Sequence, residues 1–285
     1  MELHNYLSDQ YTKTTAAAYG REITLYLTAH PGAGHYRYGQ VLDYIGQCRN
    51  KYSHPQTINR ILASVKVYYD WLCHSGQRTD NPAKSIRLRD RRARDLQLQD
   101  LFQPEELERL LERKERYGDL LIRNQVLLSL LICQGLQLGE LTGLRVADVR
   151  LAEGTIDVKA TAKTNARTLP LKPRQIMLLH SYIGQERPRL LREKTEALIL
   201  TKLGTAERGE GIHYLVSTCQ GLFPDRRLTP QTIRQSVIAN LLKQGHDLRV
   251  VQTFAGHKYP STTERYRQSQ IEELKAAVQK YHPFG

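Results

Sequence analysis

Between Leu228 and Tyr266 the sequence sets an arginine, a histidine and a tyrosine on three consecutive short helical segments. Thr229 is placed to cap the first, with Pro230 at its opening position and Gly245 as its stop, so this helix runs to Gln244. Gln231 and Arg234, three apart, then share one face. Asp247 caps a second helix ending at Gly256-His257, and Ser261 caps a third that carries Tyr266. Packed as a cluster, the three helices bring Arg234, His257 and Tyr266 together. A guanidinium fork matches a phosphate and keeps its charge at any ordinary pH. A phenol, with a pKa of about 10, is a poor nucleophile at neutral pH until cationic neighbours help it lose its proton. Taken singly, each residue has a plainer reading: a surface ion pair for the arginine, a helix end for the histidine, an amphipathic surface for the tyrosine.

The rest of the chain must position these groups. Its 285 residues leave room for two ordinary domains, and 40% hydrophobic with 25% charged residues describes a chain able to bury a core. Lys and Arg number 42 against 29 Asp and Glu, a net +13 that attracts polyanions and makes nucleic acid the leading partner. The opening MELHNYLSDQ lacks the apolar core of a secretion signal, and no apolar run is long enough to span a membrane, so a cytoplasmic protein is expected, nucleoid-associated if bacterial. Cys48, Cys73, Cys133 and Cys219 lie far apart without metal spacing and are expected to be reduced thiols; no metal site is expected.

Apolar spacing predicts helices over Ser8 to Leu27, Gln40 to Cys48 and Pro55 to His74, with Asn81-Pro82 as a stop. Residues 1–87 therefore form a small helical domain. KSIRLRDRRARD follows, with Lys84, Arg87, Arg89, Arg91, Arg92 and Arg94 against two acids. This charge run is either a solvated linker, set at residues 88–102, or a connector lying along a phosphate backbone. A second unit, 103–285, opens with a helix started by Pro104 and continues with a nearly all-apolar helix from Asn124 to Cys133. Residues 146–171 read as a short sheet whose exposed hairpin tip carries Lys163 and Arg167, with Lys159 as a competing lysine. Residues 203–226 hold most of the remaining glycines and read as loop.

LTPQTIRQSVIANLLKQGHDLRVVQTFAGHKYPSTTERY resembles the end of tyrosine recombinases of the phage-integrase type. GLQLGELTGLRVADV, residues 135–149, is similar to that family's first arginine box, and KTNARTLPL, residues 163–171, to its catalytic-lysine hairpin. Residues 57–86 are similar to its helical core-binding domain, so the likeness covers nearly the whole chain in the right order. It implies a mainly α protein: a helical, SAM-like core-binding domain and a mostly helical catalytic domain with a small antiparallel sheet. It also implies site-specific strand exchange on double-stranded DNA through a 3′-phosphotyrosine, without ATP, metal or other cofactor. Tyr266 is then the nucleophile, Arg234 the phosphate grip, Lys163 the acid for the departing 5′ oxygen, and His257 a hydrogen-bond partner of phosphate or tyrosine. Arg167 and the basic linker residues are placed on DNA. A tetramer on two DNA sites is implied, with an accessory DNA-bending protein as a possible partner. The apolar stripe Ile271, Leu274, Ala277 and Val278 of the tail is the candidate for docking into a neighbouring copy.

Two positions depart from the family pattern: Gln137 stands at its first catalytic arginine and Gln231 at its catalytic histidine. A glutamine donates one amide arm and brings no charge. Arg145 and Arg167 are the nearby candidates for a substitute charge. The two glutamines are the evidence for a rival reading, a recombinase-derived DNA-binding protein that has lost strand cleavage; a third reading is a monomeric type IB topoisomerase that relaxes supercoils by the same phosphotyrosine step.

Overall fold

The computed structural model describes residues 2–88, 101–115 and 117–266, and the chain divides into two compact units, Met1–Arg94 and Asp95–Gly285. Among the described residues no helix is long and apolar enough to cross a membrane. Arg89, Arg91, Arg92, Arg94 and the tail stripe from Ile271 to Val278 lie outside the described residues.

The first unit contains α1 (Leu3–Gln10), α2 (Lys13–Ala29), α3 (Tyr38–Lys51) and α4 (Pro55–His74). Pro55 opens α4, where its missing N–H costs nothing, and the His54 ring accepts the Gln56 N–H. Ile58, Ile61, Leu62, Val65 and Leu72 of α4, which packs against α2, are buried in the core of this unit, and each such side chain contributes about 1.5–3 kcal/mol on burial. The Tyr69 hydroxyl lies 2.9 Å from that of Tyr26 and donates to the Ala33 carbonyl at 2.8 Å, so these buried polar atoms are satisfied. The single helix expected over Ser8 to Leu27 is two. Tyr11 and Thr12 take extended backbone angles between α1 and α2, and the Tyr11 ring sits edge-on to Tyr19. Lys84 and Arg87 are exposed after α4.

The second unit is built around α6 (Leu121–Gln134), in which Val126, Leu127, Leu128, Leu130 and Leu131 are almost wholly buried. It is preceded by α5 (Pro104–Glu108), where Glu106 accepts the Gln103 N–H. This helix is shorter than its sequence suggests, because it tightens into a 3₁₀ turn over Arg109–Glu112 with Leu107, Leu110 and Leu111 all in the core. Then come α7 (Leu138–Gly143), the antiparallel sheet β1 (Val149–Arg150), β2 (Thr155–Val158) and β3 (Arg167–Pro170), and α8 (Pro173–Ser181), α9 (Arg187–Leu190), α10 (Gly209–Ser217), α11 (Pro230–Lys243) and α12 (Leu248–Ala255). Ile156 faces Leu169 and Val158 faces Arg167 across β2 and β3.

α10 lies inside the stretch whose glycines read as loop. Its Gly211 is packed so closely against Glu207 that a Cβ there would overlap the carboxylate, which is itself ion-paired with buried Arg123. Tertiary packing, and not local propensity, selects the residue. The segment 260–266 is helical and starts at Pro260, so Ser261 lies in its first turn instead of capping it.

Candidate active site

Thr229 caps α11 by accepting the Thr232 N–H at 3.0 Å, which leaves Gln231 exposed near the helix start and turns Arg234 inward one turn later. The Arg234 guanidinium donates to Gly135 O and Ala255 O, both at 2.6 Å. Gly135 ends α6 and Ala255 ends α12, with left-handed backbone at Gly135 (φ 58°) and Gly256 (φ 68°). Helix C-termini leave unpaired carbonyls and carry partial negative charge, so one arginine satisfies two of them and is held rigidly. Burial pulls the Arg234 pKa down from its usual value, while Glu140, 3.5 Å away, acts against that.

Glu140 is buried in the first turn of α7 and accepts the Gln137 N–H at 2.8 Å. Burial alone would raise its carboxyl, but the Arg167 hydrogen bonds and charge, the Gln137 N–H and the Thr164 hydroxyl outweigh that and hold it below the usual carboxylate range. Arg167 donates to Glu140 Oε1 at 2.6 Å and Oε2 at 3.1 Å, and its Nε donates to Phe254 O at 2.7 Å. The expectation of an exposed Arg167 on DNA is therefore corrected. Its position on β3 turns it into the protein, where its side chain is 3% exposed and its fork is committed to Glu140. Arg145 is exposed and lies 3.0 Å from Glu196, so neither substitute charge lines the cleft described next.

The hairpin is joined to the turn after α12. Asn165 N–H donates to Gly256 O at 2.8 Å, and Thr164 pairs with His257 in a β-bridge. Thr161 Oγ1 accepts the Lys163 and Thr164 N–H groups, shaping the tip that exposes Lys163. Lys159 instead pairs with Asp148 at 3.0 Å. His257 Nδ1 lies 2.8 Å from Thr263 Oγ1. Burial first, then the charges of Arg234 and Arg167, push the imidazole down to about 4, so it is neutral at pH 7. The Tyr266 ring runs nearly parallel to that of His257, with centroids 6.4 Å apart, and is seated among Leu101, Ile238, Ala239, Val251 and Ala255. Burial raises the Tyr266 pKa, and Arg234 and Arg265 oppose the rise.

Gln137, Lys163, Gln231, Arg234, His257 and Tyr266 all line one cleft of about 510 Å³. The arrangement offers an oxygen nucleophile, buried and exposed cations and a neutral hydrogen-bond donor around a space suited to an anion. Glu140 and Thr263, which hold the arginines and the histidine, were not singled out from the sequence. The available signal for Glu140 was the Gln-x-x-Glu spacing at the start of a helix, which marks a residue reaching back to the helix entry.

Residues 101–273 match the model of the phage integrase family. The chain is 28% identical over 249 residues to the tyrosine recombinase XerD of Oceanobacillus iheyensis, covering 85% of this chain and 81% of that one. It is 30% identical to the tyrosine recombinase XerC of Lactobacillus leichmannii, covering 80% and 77%. Among solved structures, a lambda integrase dimer bound to a COC′ core site shares its fold, with a TM-score of 0.70 over 92% of this chain and 97% of that one at 14% identity. The XerH site-specific recombinase bound to palindromic difH substrate gives a TM-score of 0.68 over 86% and 72% at 20% identity. With the match spanning the cleft and the elements that build it, this chain belongs to the phage integrase family and is an enzyme of the tyrosine recombinase type.

Proposed function

We propose that this chain performs site-specific recombination of double-stranded DNA by cutting and rejoining strands through a 3′-phosphotyrosine link. The observation that carries this reading is the single cleft lined by Tyr266, Arg234, Lys163 and His257. The Tyr266 oxygen bonds to the scissile phosphorus as its proton leaves to water, the P–O5′ bond breaks, and the Lys163 ammonium gives the departing O5′ one proton. Arg234 stabilises the charge on the non-bridging oxygens and neutral His257 donates a hydrogen bond. Attack by a new 5′-hydroxyl reverses the step, expels the tyrosine and restores a phosphodiester, so no external energy source enters.

Residues 1–87 act as a helical DNA-binding arm, 88–102 as a basic linker across the duplex and 103–285 as the catalytic unit. Lys84 and Arg87 contact the backbone with the linker arginines. Four copies on two DNA sites form the synapse, with the tail after Tyr266 as the docking segment and an accessory DNA-bending protein as a candidate partner. Work in the cytoplasm, on the nucleoid of a bacterial host, fits this role.

The test is a nicked suicide duplex carrying the DNA that flanks the gene. The wild type forms a covalent protein–DNA adduct and Tyr266→Phe forms none. The neutral amides of Gln137 and Gln231 in the cleft favour the second reading, a DNA-binding protein without cleavage. Salt-sensitive binding of the flanking DNA with no adduct from the wild type decides for that reading.

A further inference from the structure

Gln137 and Gln231 set two uncharged amides in a cleft whose chemistry depends on positive charge. The cleft is nonetheless rich in cations. Besides Lys163 and Arg234 it is lined by Lys258 and Arg265, and among the described residues no carboxylate lines it. Lys258 follows His257 on the turn after α12, and Arg265 immediately precedes Tyr266. Both are exposed, whereas Arg167 is buried and does not line the cleft. Two cations thus stand at the edge of the reaction space, beside the histidine and the tyrosine in sequence. We infer that Lys258 and Arg265 are further catalytic residues, which supply to the scissile phosphate the positive charge that Gln137 and Gln231 do not.

The inference rests on the strand-cleavage reading above. As the Tyr266 oxygen approaches phosphorus, negative charge grows on the two non-bridging oxygens, and a cation aimed there stabilises the transition state more than the ground state. A lysine acts there as a mobile point charge, and an arginine can span two oxygens. Arg265 has a second effect from its place beside the nucleophile, since its charge opposes the burial that raises the Tyr266 pKa.

The experiment uses two nicked duplexes from the flanking DNA that differ at one position. One has the native scissile phosphate; the other has a methylphosphonate there, with one charged non-bridging oxygen replaced by methyl. A cation that serves the scissile phosphate is needed on the first and largely dispensable on the second. One that grips neighbouring backbone is needed equally on both. Wild type, Lys258→Gln, Arg265→Gln and the double variant are compared in single-turnover adduct formation. The double variant is expected to lose about 10²–10³-fold on phosphate and to match the wild type on methylphosphonate; an equal loss on both substrates overturns the inference. If the wild type binds but forms no adduct on either substrate, the strand-cleavage reading has failed, and affinity decides the placement of charge. A wild-type preference for the phosphate duplex that vanishes in the double variant supports these two residues at the scissile phosphate, and an unchanged preference, or none in the wild type, overturns it. Both side chains are exposed, so the variants are expected to fold.

Discussion

Thr263 Oγ1 lies 2.8 Å from Nδ1 of His257, and both side chains are buried. Because the ring is neutral at pH 7, one nitrogen must accept while the other carries the proton. A hydroxyl that donates to Nδ1 leaves the proton on Nε2, where it serves a phosphate oxygen. The expected result is an Nε2–H tautomer by ¹⁵N NMR in the wild type, retained in Thr263→Ser and mixed in Thr263→Val. An Nδ1–H tautomer in the wild type contradicts the assignment.

The same histidine sets a pH dependence of stability. Its folded pKa, about 4, lies below the unfolded value of about 6.5. Between those values the unfolded chain binds the proton and the folded chain does not, so stability rises with pH across this window and falls as pH drops toward 4. Replacing His257 with Gln is expected to flatten the melting temperature over that interval. A slope equal to that of the wild type shows that other groups cause it.

Arg167 and Glu140 form a buried pair, with side chains 3% and 0% exposed. Removing one partner of such a pair leaves the other charge uncompensated and costs about 3–5 kcal/mol. Arg167→Met is therefore expected to lower the melting temperature by roughly 10 °C for a unit of this size. Arg145→Met, which breaks the exposed pair with Glu196, is expected to change stability by less than about 1 kcal/mol. Gly256→Ala joins the first class, since the added methyl meets the Arg167 guanidinium and a positive φ. Thermal unfolding of the three variants separates the two classes.

These cases show what the sequence carried and what it did not. The ends of α11 and α12 were legible because Thr229, Pro230, Gly245, Asp247 and Gly256 act on their own backbone, within a turn of where they stand. Arg234, His257 and Tyr266 were legible as a set because order and spacing along the chain survive folding. Arg167 was misread because its fate depends on a register 9 residues away on β2 and on a carboxylate 27 residues upstream, neither of which marks its neighbours in sequence. The spacing from Gln137 marks Glu140 only as a residue at a helix start, and the fold alone shows that two arginines converge on it. α10 was hidden for a similar reason: its Gly211 serves the close approach of Glu207 and its Gly209 that of Leu138, which no local propensity reports.

Gln137 allows the charge argument to be run in reverse. It opens α7 and lines the cleft, with its backbone N–H held by Glu140, so an arginine placed there extends into the reaction space from a fixed base. If Lys258 and Arg265 already balance the phosphate, Gln137→Arg adds little to the wild type, less than about tenfold in cleavage rate, because charge beyond neutrality at the oxygens gains less. In the Lys258→Gln/Arg265→Gln background the same substitution fills a real deficit, and a recovery on the order of 10² is expected. The four single-turnover rates form a cycle whose coupling term isolates the shared role. Equal gains in both backgrounds mean that position 137 and the Lys258–Arg265 pair act on the reaction independently.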